Sequence, residues 1–140
     1  MTGIIAIGID PGVNTGIAIY DTMTRDFIEI DCVKIHQAMQ KIQELKTRHG
    51  ASKIHVRFED ARKRKWYGNS GREKLQGAGS VKRDSKIWED YLIDLNVLFY
   101  AVAPASNSTK LTAEAFKKIT GWKNRTNEHA RDAAMLIYGL

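Results

Sequence analysis

The chain of 140 residues has the length of one compact domain, and its 43% hydrophobic and 27% charged residues exclude a disordered or fibrous protein. No apolar run approaches the roughly 20 residues of a membrane span, and the opening residues lack the basic start of a secretion signal. The single cysteine, Cys32, cannot form an internal disulfide, and its apolar surroundings indicate a packing role. We therefore expect one domain over residues 1–140, in a reducing cytoplasm.

The net charge of +6 is concentrated in one part of the chain. Between Arg57 and Lys86 lie ten Lys or Arg residues and four Asp or Glu residues, an excess equal to that of the whole chain. A confined basic segment indicates a polyanionic partner such as a nucleic acid. The alternative explanation is a solvated helix face without a partner.

Taken in chain order, the apolar patterns predict strands at 4–10, 15–20, 26–35, 53–60 and 97–103. Helices are predicted at 36–49, ended by Gly50, at 72–95, and at 112–120, ended by Gly121. A last helix is predicted from an N-cap at Thr126 or Asn127 to the C-terminus. Three successive strands, followed by strands that alternate with helices, predict an α/β fold whose mixed sheet carries helices on both faces.

Carboxylates stand at the ends of these predicted elements. Asp10 ends the first strand and Glu59 ends the fourth, and ligand sites of open α/β sheets form outside such strand ends. The last helix carries Glu128, His129 and Asp132 on one face. Clustered carboxylates repel one another unless a cation neutralises them, and oxygen ligands favour magnesium or manganese. Two such ions about 3.5–4 Å apart would stabilise the displacement of a phosphodiester.

Three segments in this order resemble the RuvC family of Holliday-junction resolvases. Residues 7–16, Ile-Gly-Ile-Asp-Pro-Gly-Val-Asn-Thr-Gly, are similar to the first motif of that family. Residues 56–59, Val-Arg-Phe-Glu, match the second motif, and residues 128–134, Glu-His-Ala-Arg-Asp-Ala-Ala, match the third. Each segment alone also has an ordinary explanation as a turn, a solvated strand end or a helix surface. Their combination, which covers nearly the whole chain, favours the resemblance.

The resemblance implies a ribonuclease H-like fold with a five-stranded sheet, and paired nicking of four-way DNA junctions by a homodimer that uses Mg²⁺ or Mn²⁺. It implies that Asp10, Glu59 and Asp132 are metal ligands in a site for two ions. His129 is then either a ligand or the group that orients the attacking water, and Glu128 is an alternative extra ligand. Lys110 falls near a lysine that assists the site in that family.

The basic segment supplies the predicted nucleic-acid contacts. Trp66 and Tyr67 lie among cations, where an aromatic ring can stack on an exposed base at a branch point for roughly 1–3 kcal/mol. The alternative is that Trp66 packs beneath its loop. The residues predicted to bind nucleic acid are Arg62, Lys63, Arg64, Lys65, Trp66, Tyr67, Arg72, Lys74, Lys82 and Arg83.

Departures from the family leave the substrate open. The chain is shorter than typical bacterial members, and its loop 61–70 is more basic than expected for the family. Compact resolvase-like proteins of this kind occur in phages and prophages. A bacterial cell, or the host cell of a phage, is the expected setting. Flap-structured DNA or RNA are alternative substrates of the same fold, and a non-catalytic nucleic-acid-binding module is an alternative function. An actin-like ATPase is excluded, because it needs a second domain to enclose its nucleotide.

Overall fold

The computed structural model describes residues 3–63, 72–104 and 111–140, and within 72–78 it describes the backbone alone. The elements follow the predicted order closely. The strands are β1 (Ile5–Asp10), β2 (Asn14–Asp21), β3 (Asp26–Lys34), β4 (Ile54–Glu59) and β5 (Leu98–Val102). The helices are α1 (Ile35–His49), α2 (Arg72–Leu95), α3 (Ala113–Thr120) and α4 (Glu128–Met135), with short 3₁₀ turns at Ala51–Lys53 and Ala61–Lys63.

The five strands form one mixed sheet in the order β3-β2-β1-β4-β5. Tight turns join β1 to β2 and β2 to β3, so these pairs are antiparallel, whereas β4 runs parallel to both β1 and β5. Helices α1 and α2 make the crossovers that parallel pairing requires. The predicted α/β fold with helices on both faces of a five-stranded sheet is confirmed, and it is compatible with a ribonuclease H-like fold.

Strand periodicity divides the core between the two faces of the sheet. Ile7 and Ile9 of β1, with Phe58 of β4, lie in a cluster that also contains Trp88 of α2 and residues of α1. Ala6 of β1 lies in a second cluster with residues of α3 and α4. Because successive side chains of a strand point to opposite faces, the α1–α2 face and the α3–α4 face can be assigned residue by residue.

The helix ends follow the predicted capping chemistry with one exception. Gly50 and Gly121 end α1 and α3 with positive φ angles of 87° and 76°. Asn127 is the N-cap of α4, and its side chain accepts a hydrogen bond from the Ala130 N–H. The prediction that this helix continues to the C-terminus is wrong, because α4 ends at Met135. Beyond it the backbone tightens into turns, in which the Ile137 N–H donates to the Ala134 carbonyl.

Two glycines let α4 lie directly on the strands. A Cβ atom at Gly8 of β1 would stand 2.1 Å from the Ala133 carbonyl oxygen, and one at Gly16 of β2 would stand 2.0 Å from the His129 carbonyl oxygen. Only glycine permits backbones to approach so closely. Both positions are in the first motif, and the two contacts fix α4 against β1 and β2.

No helix in the described ranges is long and apolar enough to cross a membrane.

Substituting Gly16 tests this packing. We expect Gly16→Ala to lower the free energy of unfolding by roughly 1–3 kcal/mol or more, because the added methyl group must displace backbone rather than a flexible side chain. The matched control is Gly79→Ala in α2, where a Cβ meets no atom of the described residues within 4 Å. That variant should gain up to about 1 kcal/mol from helix propensity. Denaturant unfolding of both variants is the measurement, and a Gly16→Ala protein of unchanged stability would contradict the close approach.

Candidate functional site

Asp10 and Glu59 end neighbouring parallel strands on the same face of the sheet. The register pairs Ile9 with Phe58, so the next residue of each strand is a carboxylate. Ile9 and Phe58 are both buried on the α1–α2 face, so alternation directs Asp10 and Glu59 to the α3–α4 face. The structure therefore brings two carboxylates from distant parts of the sequence to one edge of the sheet.

His129 of α4 contacts Asp10 directly. Its Nδ1 lies 2.9 Å from Asp10 Oδ2, and the Asp10 side chain is only 13% exposed while that of His129 is 51% exposed. An ionised carboxylate only accepts hydrogen bonds, so Nδ1 carries the proton and donates it. The carboxylate thereby orients the imidazole and leaves Nε2 as the nitrogen that can accept a proton or a metal ion. The close packing of α4 on Gly8 and Gly16 brings His129 within reach of Asp10.

Asp132 and Glu128 occupy different positions on α4. Asp132 lies three residues after His129, beside the buried Ala133, and is partly exposed. Glu128 is the first residue of the helix and is exposed, where its charge favours the positive end of the helix dipole. Both remain predicted ligands, whereas the contact with Asp10 is made by His129.

Arg131, which the sequence analysis did not single out, anchors the start of α4. Its Nε donates to the Leu111 carbonyl at 2.9 Å, and its Nη1 donates to the carbonyl and the hydroxyl of Thr126. A cation in the first turn of a helix is placed against the helix dipole. The sequence could have indicated this role, because an arginine in the first turn of a helix is unfavourable unless it has a specific partner.

The donor chemistry of the site fits a hard divalent cation, although the ligand set is not closed. In the described ranges, no three His, Cys, Asp or Glu side chains are grouped closely enough to hold a metal ion. Asp10 and His129 adjoin, and Glu59 ends the strand next to that of Asp10. Magnesium commonly keeps several waters and uses only one or two carboxylates with substrate phosphates. The pair of strand-end carboxylates therefore meets its minimal requirement.

Arg62 and Lys63, both predicted to bind nucleic acid, contact groups of their own chain. Arg62 donates through Nε and Nη2 to both oxygens of Asp60, which is 2% exposed, and through Nη2 to Glu89 at 2.8 Å. Hydrogen bonding to the Arg62 guanidinium holds the pKa of Asp60 below its usual value, and the same contacts raise the pKa of Arg62. Lys63 Nζ donates to the Ala101 carbonyl at 2.7 Å. Both side chains tie the end of β4 to α2 and β5.

Of the other basic residues predicted to bind nucleic acid, some are exposed on α2 and the rest lie outside the described residues. Lys82 and Arg83 are exposed on α2, which suits a contact with a polyanion. The following lie outside the described residues: Arg64, Lys65, Trp66, Tyr67, Lys110 and the side chains of Arg72 and Lys74. Their predicted roles stay predictions.

Comparison with known protein-family models gives no match for this chain, and comparison with curated protein sequences gives none. The resemblance to the RuvC family therefore depends on the three motifs alone. What the structure adds is the fold and the spatial arrangement of Asp10, Glu59 and His129.

The role of Arg62 can be tested by stability. We expect Arg62→Gln to lower the free energy of unfolding by about 1–3 kcal/mol, because it leaves the buried Asp60 carboxylate with fewer donors. The control Arg83→Gln removes the same charge from an exposed position and should change stability by less than about 0.5 kcal/mol.

The contact between Arg62 and Asp60 should also make the stability of the protein depend on pH in the acid range. Because the folded-state pKa of Asp60 is lowered, its contribution is fully present above the usual value of 3.8 and is lost as the pH falls below it. The wild type should lose more stability than Arg62→Gln between pH 5 and pH 2, as measured by denaturant unfolding. If Arg62→Gln kept full stability and instead lowered the salt slope of DNA binding by about 0.9, Arg62 would be a phosphate contact.

Proposed function

We propose that this protein is a magnesium- or manganese-dependent endonuclease of the ribonuclease H-like class, similar to the RuvC resolvases, which nicks branched DNA. The observation that carries the proposal is the contact between Asp10 and His129 at the sheet edge where Glu59 ends the neighbouring strand. A carboxylate-rich strand edge with an oriented imidazole suits the hydrolysis of a phosphodiester. The exposed Lys82 and Arg83 of α2 suit contacts with a polyanionic substrate.

The residues have separate tasks in this proposal. Bound divalent ions would neutralise the phosphodiester and stabilise the charge that develops on the attacking and leaving oxygens. Asp10, Glu59 and Asp132 would hold those ions, and Asp10 would at the same time accept the hydrogen bond from His129. His129 Nε2 would orient the attacking water and accept its proton, while Asp10 keeps the ring in the required tautomer.

The substrate and the assembly belong to the same proposal. A four-way junction has two strands to be cut at related positions, so paired nicking requires two active sites, which a homodimer provides. Lys82 and Arg83 of α2 would contact phosphates. Cleavage of flap DNA or of an RNA–DNA hybrid in preference to a junction would change the substrate while leaving the chemistry of the site intact.

Substituting the carboxylates tests the metal chemistry. We expect Asp10→Asn, Glu59→Gln and Asp132→Asn each to reduce metal-dependent nicking by orders of magnitude, because each removes a charge that holds the metal. DNA binding in chelator should remain within a few-fold of wild type, since the cations predicted to contact phosphates are unchanged. The measurement is nicking of a labelled four-way junction, duplex, flap and RNA–DNA hybrid side by side, with magnesium, manganese or chelator. Wild-type turnover by folded Asp10→Asn would disprove the proposal.

His129 is expected to tune the site. We expect His129→Ala to lower the nicking rate by about 10²- to 10⁴-fold, the usual contribution of a general base. His129→Asp keeps an acceptor and a potential ligand one turn from Asp132, so it should retain substantial activity with an altered ratio of magnesium to manganese rates. Single-turnover rates with each metal are the measurement. Equal and complete loss in both variants would instead show that the imidazole itself is required.

A further inference from the structure

The face of β4 and β5 next to the candidate site carries a cationic and aromatic cluster. The register pairs His55 with Leu98 and Arg57 with Tyr100. His55 and Arg57 alternate with the buried residues of β4, and Leu98 and Tyr100 alternate with Phe99 and Ala101, which pack on the α1–α2 side, so all four lie on the α3–α4 face of the sheet. We call this cluster of His55, Arg57, Leu98 and Tyr100 the β4–β5 face.

Within the described ranges, the helices leave much of this face open. Helix α4 packs chiefly against β1, β2 and β3, and α3 packs against α4. On the edge strand β5, Tyr100 is 50% exposed and Leu98 is 58% exposed, so two large side chains of one strand lie at the surface. Exposed aromatic and apolar groups beside a cation are typical of a binding surface rather than of a solvated one.

Arg57 is held in place without having its hydrogen-bonding capacity used. Its guanidinium carbon lies 5.6 Å from the centroid of the Tyr100 ring, and the His55 ring packs edge-on against the same tyrosine at 4.9 Å. Arg57 Nε and His55 Nε2 are buried atoms that have no hydrogen-bond partner in the described part of the chain. Burial and the charge of Arg57 also lower the pKa of His55. The cluster therefore contains two buried polar atoms whose hydrogen bonds the described part of the chain does not supply.

The cluster is continuous with the candidate site. Arg57 and Glu59 are two residues apart on β4 and face the same way, which corresponds to roughly 6.6 Å along a strand. A group bound by Arg57 would therefore adjoin a group bound between Asp10 and Glu59. On a nucleic-acid strand, these two groups would be neighbouring nucleotides.

We propose that the β4–β5 face binds the unpaired nucleic-acid strand that extends from the cleavage site, with Arg57 holding a phosphate and Tyr100 and Leu98 contacting the adjoining base and sugar. Arginine forms paired hydrogen bonds to phosphate, and both its plane and an aromatic ring stack on bases. A continuous duplex cannot present an unstacked base, so this surface selects single-stranded or opened regions. The inference rests on the proposed nuclease function for its substrate, but binding can be measured without catalysis.

The test is binding of a fluorescent 15-nucleotide oligothymidylate to the full chain, by anisotropy in chelator over a series of salt concentrations. Arg57→Gln should weaken binding about fivefold or more and reduce the log–log salt slope by about 0.7. Tyr100→Leu should weaken binding about fivefold or more with an unchanged slope. Arg48→Gln removes the same charge from an exposed position at the end of α1 and should change neither. Matched duplex should respond less to Tyr100→Leu than the single strand does.

Photo-crosslinking keeps the test valid if a variant fails to fold. Wild-type protein irradiated with an oligonucleotide that contains 5-iodouracil should yield a crosslinked peptide that contains Tyr100. Wild-type affinity in folded Arg57→Gln and Tyr100→Leu would overturn the proposal, as would sedimentation showing that these variants dissociate a dimer while DNA binding is retained.

The two proposals can fail separately. If Asp10→Asn leaves nicking unchanged while Arg57→Gln weakens binding, the nuclease assignment fails and the binding surface stands. If nicking requires Asp10 while Arg57→Gln and Tyr100→Leu bind as wild type does, the nuclease assignment stands and the binding surface fails.

Discussion

The candidate site depends on the direct contact between the backbone of α4 and two strands of the sheet. Side chains larger than hydrogen at Gly8 or Gly16 would meet the carbonyl groups of Ala133 or His129 at about 2 Å. With glycine at both positions, the helix lies low enough for His129 to reach Asp10. The glycines of the first motif therefore act on the site through the position of a helix more than a hundred residues away in the chain.

The same contact determines the surroundings of Asp10. Asp10 would be an ordinary strand-end carboxylate if α4 were held further from the sheet. Close packing makes it 13% exposed and gives it an imidazole partner, so that its charge orients a proton acceptor. Arg131 reinforces this arrangement from the other side, since its hydrogen bonds fix the first turn of α4 to Leu111 and Thr126. Stability and chemistry at this edge of the sheet are therefore linked.

Much of the architecture could be predicted because it is local. The apolar run before Asp10, the alternation before Glu59 and the glycines after α1 and α3 each specify an element within a few residues. The pairing of Asp10 with His129 was not predictable in the same way. It depends on how deeply one helix packs, and helical periodicity assigns Glu128, His129 and Asp132 to one face without deciding which of them contacts the strand. The early end of α4 was missed because an apolar pattern does not distinguish an α-helix from a tightened turn.

Charge content alone did not show which cations contact groups of their own chain. The excess of cations between Arg57 and Lys86 indicates a polyanionic partner, but it does not identify which cations are free to meet one. Arg62 and Lys63 bind groups of their own chain, where they fasten the end of β4. Arg57, which reads as part of the second motif and not as part of the basic loop, lies on an open sheet face beside Tyr100. A cation is available for a ligand when its donors lack partners in the folded chain, and that property follows from the tertiary structure. The arrangement of α4 therefore matters twice: it covers β1, β2 and β3 closely enough to orient His129, and among the described residues it leaves much of the adjoining β4–β5 face uncovered.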